Sequence, residues 1–303
     1  MRLRLSFFIA LGTLVSCESS PSDVPAQDEP KEVVLSPQEL ADDLLLKVQK
    51  NAKSANLDST LFIDHGRLAQ EVGVKKMGPS EVMFFSNPTV NVQLVQQNPL
   101  AALDLPYRVL AYKQPGNDSV SLAFASSAYF KSRHGIDSDE VMKGYEKDSE
   151  SLIMGIQSAN LSPVEDEVEY KFGVIELMSD FNFDETVQRI KDVIMAQEDT
   201  KWFGVYDFKS EAESFNVQIP NETLLLFGGP GPGGVAMADY PKLGLDAFCQ
   251  KMLVYEDGNG KVYVAFNDIA AFANLHYGKN IEVHEKLNQR IKATMLQAIS
   301  AAS

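Results

Sequence analysis

Polar and apolar positions along the chain follow two periods, and the same succession of periods is written twice. Ser36-Pro37-Gln38-Glu39 opens a helix with a capping box and a proline in its first turn, and Leu40, Leu44 and Val48 give it one apolar stripe to about residue 53. Residues 58–64 alternate as a strand and a short helix follows at 67–72. Gly78-Pro79 breaks the chain before a strand at 81–85. A strand pair is predicted at 107–113 and 119–125, joined through Pro115-Gly116-Asn117-Asp118, and a second long helix begins near Ser138 with Val141, Tyr145, Leu152 and Ile156 on one side. The pattern then restarts. Residues 170–178 read as a strand, and Asn182 with Glu185 caps a helix carrying Val187, Ile190 and Ile194. Strands follow at 202–208 and 222–227, and a hairpin over 251–267 turns at Asp257-Gly258-Asn259-Gly260. A terminal helix from about Ile281 presents Leu287, Ile291 and Met295.

The restart is a duplication. Tyr112 to His134 and Tyr255 to His276 each hold a turn cluster, an alternating strand ending Ala-Phe (Ala123-Phe124, Ala265-Phe266), an aromatic six residues on (Phe130, Phe272) and a closing histidine. Upstream, Pro99 to Asp104 answers Pro241 to Asp246 at a constant offset, and Pro79-Ser80-Glu81 and Pro220-Asn221-Glu222 each precede an apolar strand. Self-similarity of this order and spacing marks a repeated domain. We expect a first repeat at 33–161, a linker at 162–166 and a second repeat at 167–303.

The first residues have another character. Arg2 and Arg4 precede an apolar run at 5–15 that is too short to span a bilayer. Together they read as a signal peptide over 1–16 that ends Leu14-Val15-Ser16-Cys17. This end resembles the lipobox of bacterial lipoproteins, which implies lipidation of Cys17. A polar Pro/Ser/acidic tether then runs over 17–32. The expected address is the cell envelope, with the protein exported and lipid-anchored to a membrane. Lipidation of Cys17 would leave Cys249 as the one remaining cysteine and no internal disulfide. The formal net charge of −15 excludes a phosphate-binding face and so argues against nucleic acid. The hydrophobic content of 45% is enough for a core in each half.

Several motifs in this order resemble the bacterial and archaeal family called domain of unknown function 302. They are Phe183-Asp184-Glu185-Thr186-Val187, Leu103-Asp104-Leu105-Pro106, Val254-Tyr255-Glu256-Asp257, Phe266-Asn267-Asp268 and His134-Gly135, together with the Gly/Pro loop after a Leu-rich strand. The resemblance covers nearly all of both repeats. It implies an α+β fold in which each repeat is a curved antiparallel sheet backed by helices, related to the saddle of TATA-binding protein. Single-domain members can pair as dimers, so the tandem copies are expected to pack as a pseudo-dimer. The family carries no established activity. Each copy departs from the pattern somewhere. Only the first has Asp64-His65 where the second reads Asp207-Phe208, and only the second has Asn267-Asp268.

Candidate chemistry is sparse. Residues 228–234 contain G-x-G-x-x-G after a strand, but two prolines interrupt the run and Pro241 follows closely. The stretch therefore reads as a backbone turn, with Gly229 and Gly231 lining a ligand cleft, rather than as a dinucleotide loop. The four histidines show no metal-ligand spacing, so neither metal nor cofactor is expected. His134 and His276, retained in both copies, are either ligand or acid–base groups or bond the last carbonyls of the helix they end. Asp104 and Asp246 read as turn formers, and Cys249 as a half-buried strand residue near the counterpart of Tyr107. The ligand-binding candidates are Asp64, His65, His134, Asp207, Gly229, Gly231, Asn267, Asp268 and His276. Their expected function is a non-catalytic ligand-binding or scaffold role. The rival reading is an enzyme that uses His134 or His276 with Asp64 or Asp268.

Overall fold

Apolar alternation and capping place the elements of both repeats. The computed structural model describes residues 35–116 and 118–301. The signal peptide, Cys17 and most of the tether lie outside the described residues. In the first repeat, α1 (Pro37–Ser54) starts at the Ser36 capping box and buries Ala41, Leu44, Leu45, Val48 and Ala52. It is followed by β1 (Asp58–Asp64), α2 (His65–Glu71), β2 (Ser80–Ser86) and α3 (Pro88–Gln97). After a 3-10 segment (Pro99–Asp104) come β3 (Tyr107–Lys113), β4 (Val120–Ala123), α4 (Ser127–His134) and α5 (Asp139–Ile153). The second repeat adds a leading strand, β5 (Val174–Met178), and then repeats the order. It runs through α6 (Phe183–Met195), β6 (Lys201–Asp207), α7 (Phe208–Ser214), β7 (Glu222–Gly228) and α8 (Pro230–Met237). Its own 3-10 segment (Pro241–Gly244) leads to β8 (Gln250–Glu256), β9 (Val262–Asn267), α9 (Ile269–Tyr277) and α10 (Glu282–Ile299).

The fold is α+β, with two antiparallel sheets ordered β1-β2-β3-β4 and β5-β9-β8-β7-β6. Helix α1 backs the first sheet, with α5 beside it placing Tyr145 on Tyr107, and α6 backs the second, with α10 adding Met295 and Ile299 to the same core. Side chains alternate across a strand, so the two faces of β7 serve different cores. Leu225 and Phe227 join Ile190, Ile194, Met295 and Ile299 beneath α6 and α10. Leu224 and Leu226 turn to the core shared with the first repeat. Every residue of β7 is buried, which is why its sequence is almost continuously apolar rather than alternating.

The described residues from 35 to 301 form one compact unit. Helix α2 packs on α8, and its counterpart α7 packs on α3. Each 3-10 segment rests on the other repeat's sheet, Pro99–Asp104 against β7, β8 and β9, and Pro241–Gly244 against β2 and β3. Ser80 Oγ donates to Pro241 O at 3.1 Å, and Thr60 Oγ1 bonds the Tyr206 hydroxyl across the same boundary. The outer edge of β4 is covered as well. Residues 161–164 lie parallel to it through the Leu122–Leu161 and Ala125–Val164 bridges, where the second repeat instead pairs β5 with β9. Covering an edge satisfies its backbone groups and blocks stray pairing.

Three expectations are corrected here. The glycine-rich run is not a turn, because Pro230 sits at the first position of α8, where its missing N–H costs nothing. Residues 88–97, for which the sequence pattern predicted no element, also form a helix. The strand expected at 170–178 begins only at Val174. Sheet register also shifts the alignment of the copies. Tyr107 pairs with Phe85 as Gln250 pairs with Phe227, so Cys249 corresponds to Pro106 and not to Tyr107. Both copies have a cis peptide at this place, Leu105-Pro106 and Phe248-Cys249.

The α2–α8 contact depends on a missing side chain. A Cβ on Gly234 would sit 2.5 Å from Ala69 Cβ, whereas one on Gly231 would meet only Val72 Cγ2, at 3.9 Å. Gly234→Ala should therefore lower stability by about 1–3 kcal/mol through overpacking. Gly231→Ala should be neutral or raise it by up to about 1 kcal/mol, from helix propensity. Urea denaturation of both variants checks the contrast.

Candidate functional site

The candidate residues do not converge on one cleft. They divide into helix caps, one buried charge network and one hollow. Asp64, Asp207 and Asp268 are N-caps, accepting from the backbone N–H of Arg67 (2.8 Å), Ser210 (2.9 Å) and Ala271 (2.9 Å). Asp268 also accepts from Asn288 Nδ2 at 2.6 Å, and Asp64 is paired with Arg67 Nε at 2.9 Å. Carboxylates held in this way satisfy orphan amides at helix starts. Gly229 is the N-cap residue of α8, and Gly231 lies inside that helix.

His134 and His276 have partners other than Asp64 or Asp268. His134 Nε2 lies 2.7 Å from Asp104 Oδ2, and His276 Nε2 lies 2.7 Å from Asp246 Oδ2. The expectation that Asp104 and Asp246 are simple turn formers is overturned, since each ends a turn and also receives a histidine from thirty residues on. Nor does either imidazole cap its helix through the last carbonyls. That work falls to Gly135 and Gly278, both left-handed, whose N–H groups reach Lys131 O and Asn274 O.

Around Asp104 the two repeats are joined by charge. Its Oδ1 accepts from Arg108 Nη2 at 2.6 Å, and its Oδ2 from Arg133 Nη1 at 2.5 Å as well as from His134. Arg133 then crosses to the second repeat, donating Nη2 to Asn267 Oδ1 at 2.6 Å and stacking over the Phe272 ring at 4.8 Å. Asn267 in turn donates to Asp246 O at 2.8 Å. Arg108 crosses through Nε to Leu245 O at 2.9 Å, and its Nη2 lies 3.7 Å from Asp246 Oδ1. Arg133, His134 and Asp104 are 0%, 1% and 2% exposed.

Two guanidiniums balance two carboxylates, so the cluster is electroneutral when its histidines are neutral. Burial alone would raise the Asp104 carboxyl, but Arg133, the His134 hydrogen bond and Arg108 outweigh it and hold it well below the usual range. Burial lowers His134 against the pull of Asp104, leaving a neutral ring whose Nε2–H donates. Its bare Nδ1 is buried without a hydrogen-bond partner. Burial would raise Asp246 too, and the bond from His276 brings it down. Lys251 is the surplus cation. Burial, then Arg108, push its amine down to about 7 while Nζ reaches Cys249 O at 3.3 Å.

His65 lies in the remaining place, a hollow between the repeats that also takes in Gly229 and Cys249. Cys249 is fully buried before β8 rather than half-buried within it, and burial raises its thiol. Arg108, Arg133 and Lys251 were not singled out by the sequence: Arg133 has Leu275 as its counterpart, and Arg108 and Lys251 come into correspondence only through the sheet register. The Asp–His spacing, identical in the two copies, was the signal that pointed to the rest.

Fold and site thus define a tandem α+β protein whose duplicated domain closes on itself over a shared buried charge network. The chain belongs to the family described as domain of unknown function DUF302, which matches residues 34–152 and again 175–301. Among curated proteins it is 34% identical over 99 residues to the fluoride-specific ion channel FluC 1 of Brucella suis biovar 1, covering 32% of this chain and 38% of that protein. The same identity and length hold for FluC 1 of Brucella abortus biovar 1, with 36% of that protein covered. The chain spans little more than a third of the length of these relatives. Among solved structures, an uncharacterized conserved DUF302 protein from Bacillus stearothermophilus matches with a TM-score of 0.35 at 11% identity. That match covers 42% of this chain and 95% of the other.

Two predictions follow from the electrostatics. Asp104→Asn leaves two buried guanidiniums short of a carboxylate and should cost about 3–5 kcal/mol. Asp246→Asn, which faces one guanidinium only at 3.7 Å, should cost less. Urea denaturation of the two variants ranks them. Glu81 gives a pH signature. Burial, then Asp64, raise its carboxyl to about 8, while Gln38 Nε2 bonds its Oε1. The folded chain holds this proton between about pH 4.5 and 8 and the unfolded chain does not, so the Glu81 contribution to stability is lost as pH rises through that window. Glu81→Gln should therefore gain melting temperature over the wild type progressively from pH 5 to pH 8. A constant difference across that range would show that Glu81 does not hold the proton.

Proposed function

We propose that the protein is a non-catalytic ligand-binding or scaffold lipoprotein of the bacterial cell envelope. On this reading the two repeats form one rigid binding body, held to a membrane by lipid on Cys17. The observation that carries the non-catalytic part is the saturation of Asp104. Both of its oxygens are taken by Arg108, Arg133 and His134 in the interior. A general acid or base must come within hydrogen-bond reach of a substrate atom, and a histidine 1% exposed with its carboxylate so engaged is built to hold two domains together. The membrane address rests on the N-terminal pattern, Arg2, Arg4, the apolar run and Ser16-Cys17.

The test has two arms. Palmitate labelling in a bacterial host should mark the wild type, and Cys17→Ser should lose both the label and membrane association. A wild type that takes no label and fractionates as soluble would remove the anchor from the proposal. A thermal-shift screen of full-length Cys17→Ser against metabolites, lipids and metals should find a ligand that raises the melting temperature without being consumed. Turnover of that ligand, lost in His134→Asn, would overturn the non-catalytic reading.

A further inference from the structure

Sheet register makes Lys251 the counterpart of Arg108, since Arg108 pairs with Phe84 where Lys251 pairs with Leu226. Asp104 and Asp246 are counterparts as well. In the first repeat the ion pair is made, Arg108 Nη2 to Asp104 Oδ1 at 2.6 Å. In the second it is not. Lys251 Nζ instead reaches Cys249 O at 3.3 Å, at the long end of a hydrogen bond. Asp246 Oδ1 is buried with no hydrogen-bond partner, and Arg108 Nη2 stands off it at 3.7 Å. Both Lys251 and Asp246 are 1% exposed. Buried polar atoms are seldom left in this state, and a lysine amine has more than one N–H to place. One interior thus holds an acceptor without a donor and a donor with one weak acceptor, where the other repeat has a closed pair.

The groups around Lys251 decide what a proton on it does. Arg108 faces it from β3, Asp104 from the end of the first 3-10 segment and Asp246 from just past the second. Cys249 precedes it in the chain, and His65 faces it from α2. Its neighbour on β7, Leu226, is apolar. Asp104 is already closed by Arg108, Arg133 and His134. His276 holds Asp246 by Oδ2 and leaves Oδ1 open. Burial, then Arg108, push the Lys251 amine down to about 7, so ammonium and neutral amine interchange near neutral pH. A neutral amine can rest on a carbonyl such as Cys249 O. A buried ammonium needs a carboxylate, and Asp246 Oδ1 is the one carboxylate oxygen of this network without a hydrogen bond.

We propose that Lys251 is a proton-operated latch at the junction of the repeats: as ammonium it swings from Cys249 O to Asp246 Oδ1 and closes the second ion pair, and as neutral amine it swings back. Its flexible four-carbon stem permits the move. The proton comes from solvent, and the network gains one positive charge with it. In acid the Lys251–Asp246 pair copies Arg108–Asp104, and each aspartate is then bonded to the cation of its own repeat. In base Cys249 O, at the entry to β8, takes the amine back. The bonding of the junction thereby follows the pH around the protein.

The experiment uses full-length Cys17→Ser, labelled at lysine Cε and titrated by NMR. One resonance, absent from Lys251→Met, should titrate at about 7, against about 10.4 for an ordinary lysine. Asp246→Asn should shift that midpoint down, because the ammonium loses its acceptor. Crystal structures at about pH 5.5 and about pH 9 should place Nζ on Asp246 Oδ1 in acid and on Cys249 O in base. Lys251→Met should gain melting temperature over the parent, most at about pH 6 and least at about pH 10. The folded chain gives up this proton near 7 and the unfolded chain near 10.4, so the penalty of the buried ammonium fades as pH rises through that window. An Nζ with the same partner at both pH values overturns the latch, as does a Lys251 that titrates with the other lysines. A midpoint unmoved in Asp246→Asn, or a gain in Lys251→Met that is equal at every pH, overturns it too. If Asp246→Asn fails to fold, the titration and the two structures decide alone.

Discussion

A carboxylate sealed between two guanidiniums sets terms for everything around it. Asp104 cannot be buried without Arg108 and Arg133, and those arginines cannot be buried without the backbone oxygens of Leu245, Leu103 and Phe172. Those oxygens belong to both repeats and to the segment between them. Charges removed from water are tolerated only when paired and fully hydrogen-bonded, so the positions of β3, α4, β9 and the two 3-10 segments are fixed together. The repeats are joined by a polar lock as well as by the apolar core shared across their sheets.

Divergence after duplication gave the halves different tasks in that lock. Both keep an aspartate at the end of the 3-10 segment and a histidine at the end of the following helix. The first supplies both arginines. In the second, Lys251, its amine lowered, and Leu275 stand at those places, and Asn267 is added. The two guanidiniums of the first repeat are matched in number by carboxylates only when Asp246 of the second is present. A departure from the family pattern in one repeat is therefore answered by a residue in the other.

The same complementarity operates without charge at the two helix junctions. Gly234 lets α8 approach Ala69 closely, while the corresponding Val92 of α3 is itself buried at the other junction. Glycines that would weaken an isolated helix are used here for close approach, Gly234 to Ala69 and Gly233 to the Phe248 ring.

Repetition, period and caps were local properties, and the sequence alone determined them. The capping box at Ser36, the Asn182 cap and the hairpin at Asp257–Gly260 act within a few residues, so their elements appear where the pattern placed them. Three helices, α3, α7 and α8, escaped that reading. Pro88 and the glycine-rich run of α8 are poor helix formers by propensity, and tertiary packing against α7 and α2 holds them instead. The charge network was legible only as a pair of equal Asp–His spacings. That Asp104 meets an arginine four residues on and another twenty-nine residues on, and that the second continues to Asn267, depends on how two sheets face each other. No local rule encodes that geometry, because a buried ion pair is defined by what surrounds it in space, and here half of the surroundings come from the other repeat.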